Sequence, residues 1–187
     1  MISKELKRLS RRELVDIIYQ MKKNEQQMQN EISRVAAEIN RDFQGKEPLF
    51  LAVLNGSFRF ASDLMKEVSI PSTISFVKMS SYVGTESSST MKHLIGLNED
   101  IAGRDVIVIE DIVDTGYTMK NLLEILNSKG PASVSVCSML YKPNKLEVEL
   151  DVRYVAMSIP DDFIVGYGLD YDGYGRNLRD IYKIINR

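Results

Sequence analysis

Four β-branched residues in a row, Val106-Ile107-Val108-Ile109, lead straight into two acids, Glu110-Asp111, and then into Ile112-Val113-Asp114-Thr115-Gly116-Tyr117-Thr118. A run this apolar reads as a strand buried on both faces, and such strands belong to parallel sheets covered by helices. The acids then arrive at the carboxyl end of the strand, the edge where open α/β sheets collect their ligands. The hydroxyl-rich turn opens a helix, predicted over Met119–Leu126. Unbonded N–H groups and the positive end of a helix dipole make such a turn an anion site, and Gly116 lets the backbone approach a phosphate closely. One loop therefore offers carboxylates suited to sugar hydroxyls and N–H donors suited to a phosphate, the two features of a phosphorylated sugar.

The chain on either side alternates strand and helix, as that fold class requires. Leu49–Leu54, Thr73–Met79, Ser133–Leu140 and Val152–Met157 read as further strands, and Ser57–Val68 as a helix. Ser80–Lys92 holds almost nothing to bury and reads as a mobile loop of functional length. Upstream, Ser10 and Glu13 fit a capping box. Leu14, Ile18, Met21, Met28, Ile32, Val35 and Ile39 follow at a 4-3-4-3 spacing that only Glu25 interrupts. That is the seam of a coiled coil or of two shorter amphipathic helices. The expected organisation is an N-terminal helical extension over residues 1–27, which assists self-association, and a catalytic domain over 28–187.

Charge and cysteine usage exclude several classes. A net charge of −2 gives no basic field for nucleic acid. The single cysteine, Cys137, allows no intrachain disulfide, and with one histidine a Cys/His zinc site is ruled out. The opening residues lack the apolar core of a signal peptide, and no apolar run reaches membrane-spanning length, so a cytoplasmic protein is expected.

The stretch from Val106 to Thr118 resembles the phosphoribosyl pyrophosphate motif of the type I phosphoribosyltransferases. Three more stretches resemble the hypoxanthine-guanine branch of that family. Leu54-Asn55-Gly56-Ser57 is similar to its pyrophosphate loop, Ser81-Tyr82 to the pair on its flexible catalytic loop, and Ile159–Tyr171 to its purine-binding hood. Asn55 stands where many members carry Lys or Arg, and Tyr117 where many carry a small or basic residue.

The resemblance implies a parallel twisted sheet flanked by helices, with a small hood, and transfer of a phosphoribosyl group from phosphoribosyl pyrophosphate to a purine. It implies Mg2+ as cofactor and a homo-oligomer, dimer or tetramer. It also implies roles. Glu110 and Asp111 would hold the ribose hydroxyls, directly or through Mg2+, and Asp170 would help hold a second Mg2+ through water. Thr115, Gly116, Tyr117 and Thr118 would cradle the 5′-phosphate. Asn55, Gly56, Ser57, Ser81, Tyr82 and Arg176 would serve the pyrophosphate end. Asp114 would face N7 of the base as general base. Lys142 would donate to O6, Phe163 would stack on the ring, and backbone groups at Ile164 and Asp170 would read the base edge. His93 and Cys137 are read as structural.

Overall fold

A computed structural model describes residues 25–82 and 91–184, with side chains left undescribed at 80–82 and 91–94. The elements run α1 (Glu25–Asp42), β1 (Leu49–Val53), α2 (Phe58–Glu67), β2 (Thr73–Tyr82), β3 (Met91–Ile95), β4 (Asp105–Val113), α3 (Tyr117–Asn127), β5 (Ser133–Tyr141), a 3-10 turn (Pro143–Lys145), β6 (Tyr154–Ser158), β7 (Ile164–Val165) and β8 (Tyr182–Lys183). The main sheet has the order β3-β2-β1-β4-β5-β6. Its neighbours pair in parallel except β2 and β3, which are antiparallel. β7 and β8 form a separate two-stranded sheet, the hood.

Alternation along the central strands sorts the core into two layers. Phe50, Ala52, Ile107 and Ile109 face α1 and α2, meeting Ile32, Ile39, Phe60 and Leu64. Leu49, Leu51, Val106 and Val108 face the other way and meet Met119, Leu122 and Leu126 of α3. All eight sheet residues are essentially inaccessible, which is the two-sided burial their composition demands.

Three expectations change here. β4 does not stop at Ile109; it continues through Glu110 and Asp111 to Val113 because β5 stays paired with it as far as Val113↔Tyr141. The segment from Ser80 to Lys92 is not one loop. Ser80, Ser81 and Tyr82 pair with His93, Lys92 and Met91, so the connection narrows to residues 83–90, which lie outside the described residues. The apolar seam of α1 is not a free coiled-coil face over its second half. Met28, Ile32, Val35 and Ile39 are buried within this chain's own core, where α1 packs on α2 and β6. Leu14, Ile18 and Met21 lie outside the described residues. Residues 25–27, assigned by the sequence to the extension, are the first turn of α1.

Candidate active site

The parallel register sets the site. β1 pairs with β4 only as far as Ala52↔Ile109, and β1 ends one residue later. The chain leaves β1 toward β2 on one side, while β4 lies on the other, so a crevice opens between them at the carboxyl edge. Glu110 and Asp111 occupy that crevice, and the turn after β1 folds over them. Gly56 sits so close that a Cβ there would fall 1.5 Å from Asp111 Oδ2. Only glycine fits.

Glu110 is buried, and Asp111 is half-buried beside it. The backbone N–H of Asp111 donates to Glu110 Oε1 at 3.1 Å, and that of Ile112 to Asp111 Oδ1 at 3.0 Å. Burial, and then the neighbouring Asp111 carboxyl, push the Glu110 carboxyl well above its usual range. No cation among the described residues offsets the charge at Glu110.

Beyond Val113 the chain turns at Asp114-Thr115-Gly116 into α3. Gly116 takes φ 88°, a left-handed conformation that glycine adopts without penalty, and no side chain caps the helix. The first intrahelical bond that closes on this turn runs from the Lys120 N–H to the Gly116 carbonyl at 2.9 Å. The earlier N–H groups of the turn are left to a ligand. A cleft of about 90 Å3 lies over the turn, lined by Glu110, Asp114, Thr115, Gly116 and Thr118 among others. Tyr117 and Thr118 are exposed.

The ends of β5 and β6 add the next wall. The Lys142 N–H donates to the Val113 carbonyl at 3.0 Å, which sets Lys142 beside Asp114. The Lys142 side chain is buried, and its Nζ lies 3.5 Å from Asp114 Oδ2 and 3.4 Å from Asp161 Oδ1. Lys145 Nζ completes a quartet at 3.1 Å and 3.2 Å from the same two oxygens. The bond to Asp114, then that to Asp161, holds the Lys145 ammonium above its usual value, while Lys145 leads in holding Asp161 below the usual carboxylate range. The other oxygen of Asp114, Oδ1, is buried and has no hydrogen-bond partner among the described residues. A buried acceptor left open is costly unless something completes it.

In the hood, Phe163 is 55% exposed and meets Tyr171 edge-on at 5.4 Å, leaving a ring face for a flat ligand. Ile164 lies in β7 opposite Lys183. The hood leans on the turn after β1: a Cβ at Gly168 would fall 2.1 Å from the Gly56 carbonyl oxygen. Arg59 and Asp63 of α2 tie it down, the guanidinium lying 5.0 Å over the Tyr167 ring and the Tyr167 hydroxyl donating to Asp63 at 2.6 Å.

Several of the expected residues have their side chains otherwise engaged. The Ser57 hydroxyl is buried and donates to the Val53 carbonyl at 2.6 Å, so it faces away from the crevice. Arg176 donates to the Gly168 carbonyl at 2.7 Å and pairs with Asp170 at 2.7 Å, while Asp170 also accepts from the Gly173 N–H. These contacts build the hood loop. Asn55 is exposed at the crevice mouth, and Ser81 and Tyr82 lie on β2 with side chains undescribed. The sequence reading missed Lys145 as a partner of Asp114. Its signal was Lys142-Pro143-Asn144-Lys145: proline starts a 3-10 turn, and three residues per turn bring both lysines to one side.

Comparison with known proteins agrees with this geometry. The phosphoribosyl transferase domain family matches residues 20–172. The hypoxanthine phosphoribosyltransferase of Salmonella typhimurium is 40% identical over 156 residues, 83% of this chain and 87% of that protein. The hypoxanthine-guanine phosphoribosyltransferase of Staphylococcus aureus is 39% identical over 155 residues, 82% of this chain and 87% of the relative. A crystal structure of a Staphylococcus aureus hypoxanthine phosphoribosyltransferase superposes with a TM-score of 0.84 at 35% identity, over 92% of this chain and 94% of that one. The chain therefore belongs to the phosphoribosyltransferase family, in its hypoxanthine phosphoribosyltransferase branch.

Proposed function

We propose that this chain transfers the 5-phosphoribosyl group of phosphoribosyl pyrophosphate to N9 of hypoxanthine, and to guanine as a second substrate, in purine salvage. The observation that carries this reading is the pair formed by the open Asp114 Oδ1 and the Lys142 ammonium, which lies 3.5 Å from the same carboxylate. A 6-oxopurine presents the complement, a proton at N7 beside the O6 acceptor. Adenine has a donor at position 6 and would meet the ammonium with the wrong sign.

In the reaction the bond from C1′ to the pyrophosphate oxygen breaks as the bond from C1′ to N9 forms, and the base gives up one proton. Asp114 accepts that proton at N7, and Lys142 stabilises the charge growing on O6. Phe163 stacks on the base, and backbone groups at Ile164 and Asp170 read its edge. The turn from Thr115 to Thr118 holds the 5′-phosphate with backbone N–H groups and hydroxyls. Asn55 and the backbone at Gly56 hold the pyrophosphate end, with Ser57 contributing structure rather than a hydroxyl. Arg176 acts there through its grip on Gly168 and Asp170. The loop that follows Ser81 and Tyr82 closes to exclude water, the competing nucleophile.

Mg2+ fits this donor set. Glu110 and Asp111 offer only oxygen, and their shortage of positive charge calls for a cation or hydroxyl donors. Among the described residues no cluster of three ligating side chains forms a protein cage. Mg2+ is commonly held by one or two carboxylates together with substrate oxygens. When bound, it supplies charge that stabilises the departing pyrophosphate. Asp170, already paired with Arg176, would help hold a second Mg2+ through water.

We also infer a homo-oligomer, dimer or tetramer, for which exposed Ile74, Phe76 and Ile95 on β2 and β3 offer apolar area. Among the described residues no helix is long and apolar enough to cross a membrane. We place the reaction in the cytoplasm with its phosphorylated substrate. The test is to incubate the chain with phosphoribosyl pyrophosphate, Mg2+ and each base in turn, and to follow nucleotide by chromatography. Hypoxanthine should give IMP and guanine GMP; turnover of adenine or uracil alone would overturn the reading.

A further inference from the structure

We propose that Lys145 is a positioning residue: it holds the carboxylates of Asp114 and Asp161 so that Lys142 is released to the purine O6. The proposal rests on the function proposed above and adds a residue that touches no substrate.

Lys142 cannot serve O6 and two carboxylates equally well. Its ammonium is buried, and in this structure it lies between Asp114 and Asp161. Were it their sole counterion, turning toward a neutral carbonyl oxygen would strand two negative charges, one of them carrying a buried oxygen. Removing one member of such a pair costs more than the pair itself contributes. Lys145 removes that obstacle. It reaches the same Oδ2 of Asp114 and the same Oδ1 of Asp161, and at both oxygens it is the closer cation, 3.1 against 3.5 Å and 3.2 against 3.4 Å. The quartet of two cations and two anions is neutral. Lys142 is its loosely held member and Lys145 its tightly held one.

The local fold enforces this division. The Lys145 N–H donates to the Lys142 carbonyl at 3.1 Å, closing the turn that Pro143 begins. Lys145 stands on the solvent side, with 36% of its side chain exposed, whereas Lys142 is 6% exposed and faces inward. Because Lys145 engages only Oδ2 of Asp114, it leaves Oδ1 without a partner among the described residues, the acceptor that the proposed function assigns to N7.

The test is steady-state kinetics on the full chain, with hypoxanthine and phosphoribosyl pyrophosphate varied separately. Lys145→Met should raise the Michaelis constant for hypoxanthine about tenfold, the scale of one weakened charge-assisted hydrogen bond. The constant for phosphoribosyl pyrophosphate should move less than about twofold, since no contact to that substrate is touched. Lys145→Arg should return the hypoxanthine constant to within about threefold of wild type, because the charge is kept. In a Lys142→Ala background the same Lys145→Met change should raise the hypoxanthine constant less than about twofold, since there is no longer an O6 donor to release. Lys145→Gln, uncharged but still hydrogen-bonding, replaces Lys145→Met if thermal melts show the latter unfolded. An unchanged Lys145→Met enzyme, an equal rise in both Michaelis constants, or a full tenfold effect persisting without Lys142 would each overturn the proposal while leaving the proposed function standing. A wild-type chain that turns over no purine would overturn both.

Discussion

At Asp114 the two oxygens of one carboxylate meet different surroundings. Oδ2 faces two ammonium groups, and Oδ1 is buried without a partner among the described residues. Asp114→Asn keeps the shape but removes the proton acceptor and half the balance of the quartet. Turnover with hypoxanthine should fall on the order of 100-fold, the usual weight of a positioned general base. The melting temperature should also fall, since buried Lys142 then keeps only Asp161 as counterion, and steady-state rates beside a melting curve would check both. Asp114, Lys142 and Phe163 are each marked in the sequence by family motifs, and the structure sets the first two side by side. What the sequence withheld was their company. Lys145 is a plain surface lysine until the 3-10 turn folds it back on Asp114, and Arg176 is a plausible anion clamp until Asp170 occupies it.

Among the elements, the strands were legible because two-sided burial leaves a run of pure aliphatics, as in Val106–Ile109. Their ends were not. Glu110 and Asp111 have poor strand propensity, yet pairing with β5 carries the strand through them, which is tertiary context overriding local preference. In α1 the spacing was legible, but it left the partner open. A 4-3-4-3 pattern fits any apolar surface, and here, from Met28 onward, that surface is the chain's own α2 and β6. The far end of α1 gives a stability test. The Tyr154 hydroxyl, on a side chain only 2% exposed, donates to Asp42 Oδ2 at 2.9 Å. Tyr154→Phe should cost about 1 kcal/mol, one ordinary hydrogen bond. That bond leads the causes that hold the Asp42 carboxyl below its usual range. A depressed carboxylate contributes its full stability above its unfolded value and loses it as pH falls through the folded value. The gap between wild type and Tyr154→Phe should therefore narrow below about pH 4, as urea melts across the acid range would record.

For the whole molecule, two expectations concern residues that lie outside the described ones. If the connection 83–90 closes over the site, its amides should exchange more slowly with phosphoribosyl pyrophosphate and a purine analogue bound together than in the free chain. Equal exchange would remove the lid from the mechanism. If residues 1–24 serve association alone, deleting them should leave turnover per site within about twofold and reduce oligomer size or its resistance to dilution. An inactive but folded truncation would show that the segment serves the site itself.

The contact between Gly168 and Gly56 sets a condition on inheritance as well as on shape. The two glycines lie far apart in the chain, yet the Gly56 backbone walls in Gly168, and the Asp111 side chain walls in Gly56. A side chain at Gly168 would collide with the Gly56 carbonyl, and no second substitution at Gly56 could make room, since that glycine has no side chain to trim. Under the proposed function, descendants of this sequence can alter the bases they accept through Phe163 or Ile164, and their grip on pyrophosphate through Asn55. The seam where those two specificities meet has no neutral route away from glycine, so the two halves of the site can diverge only as long as that seam is left alone.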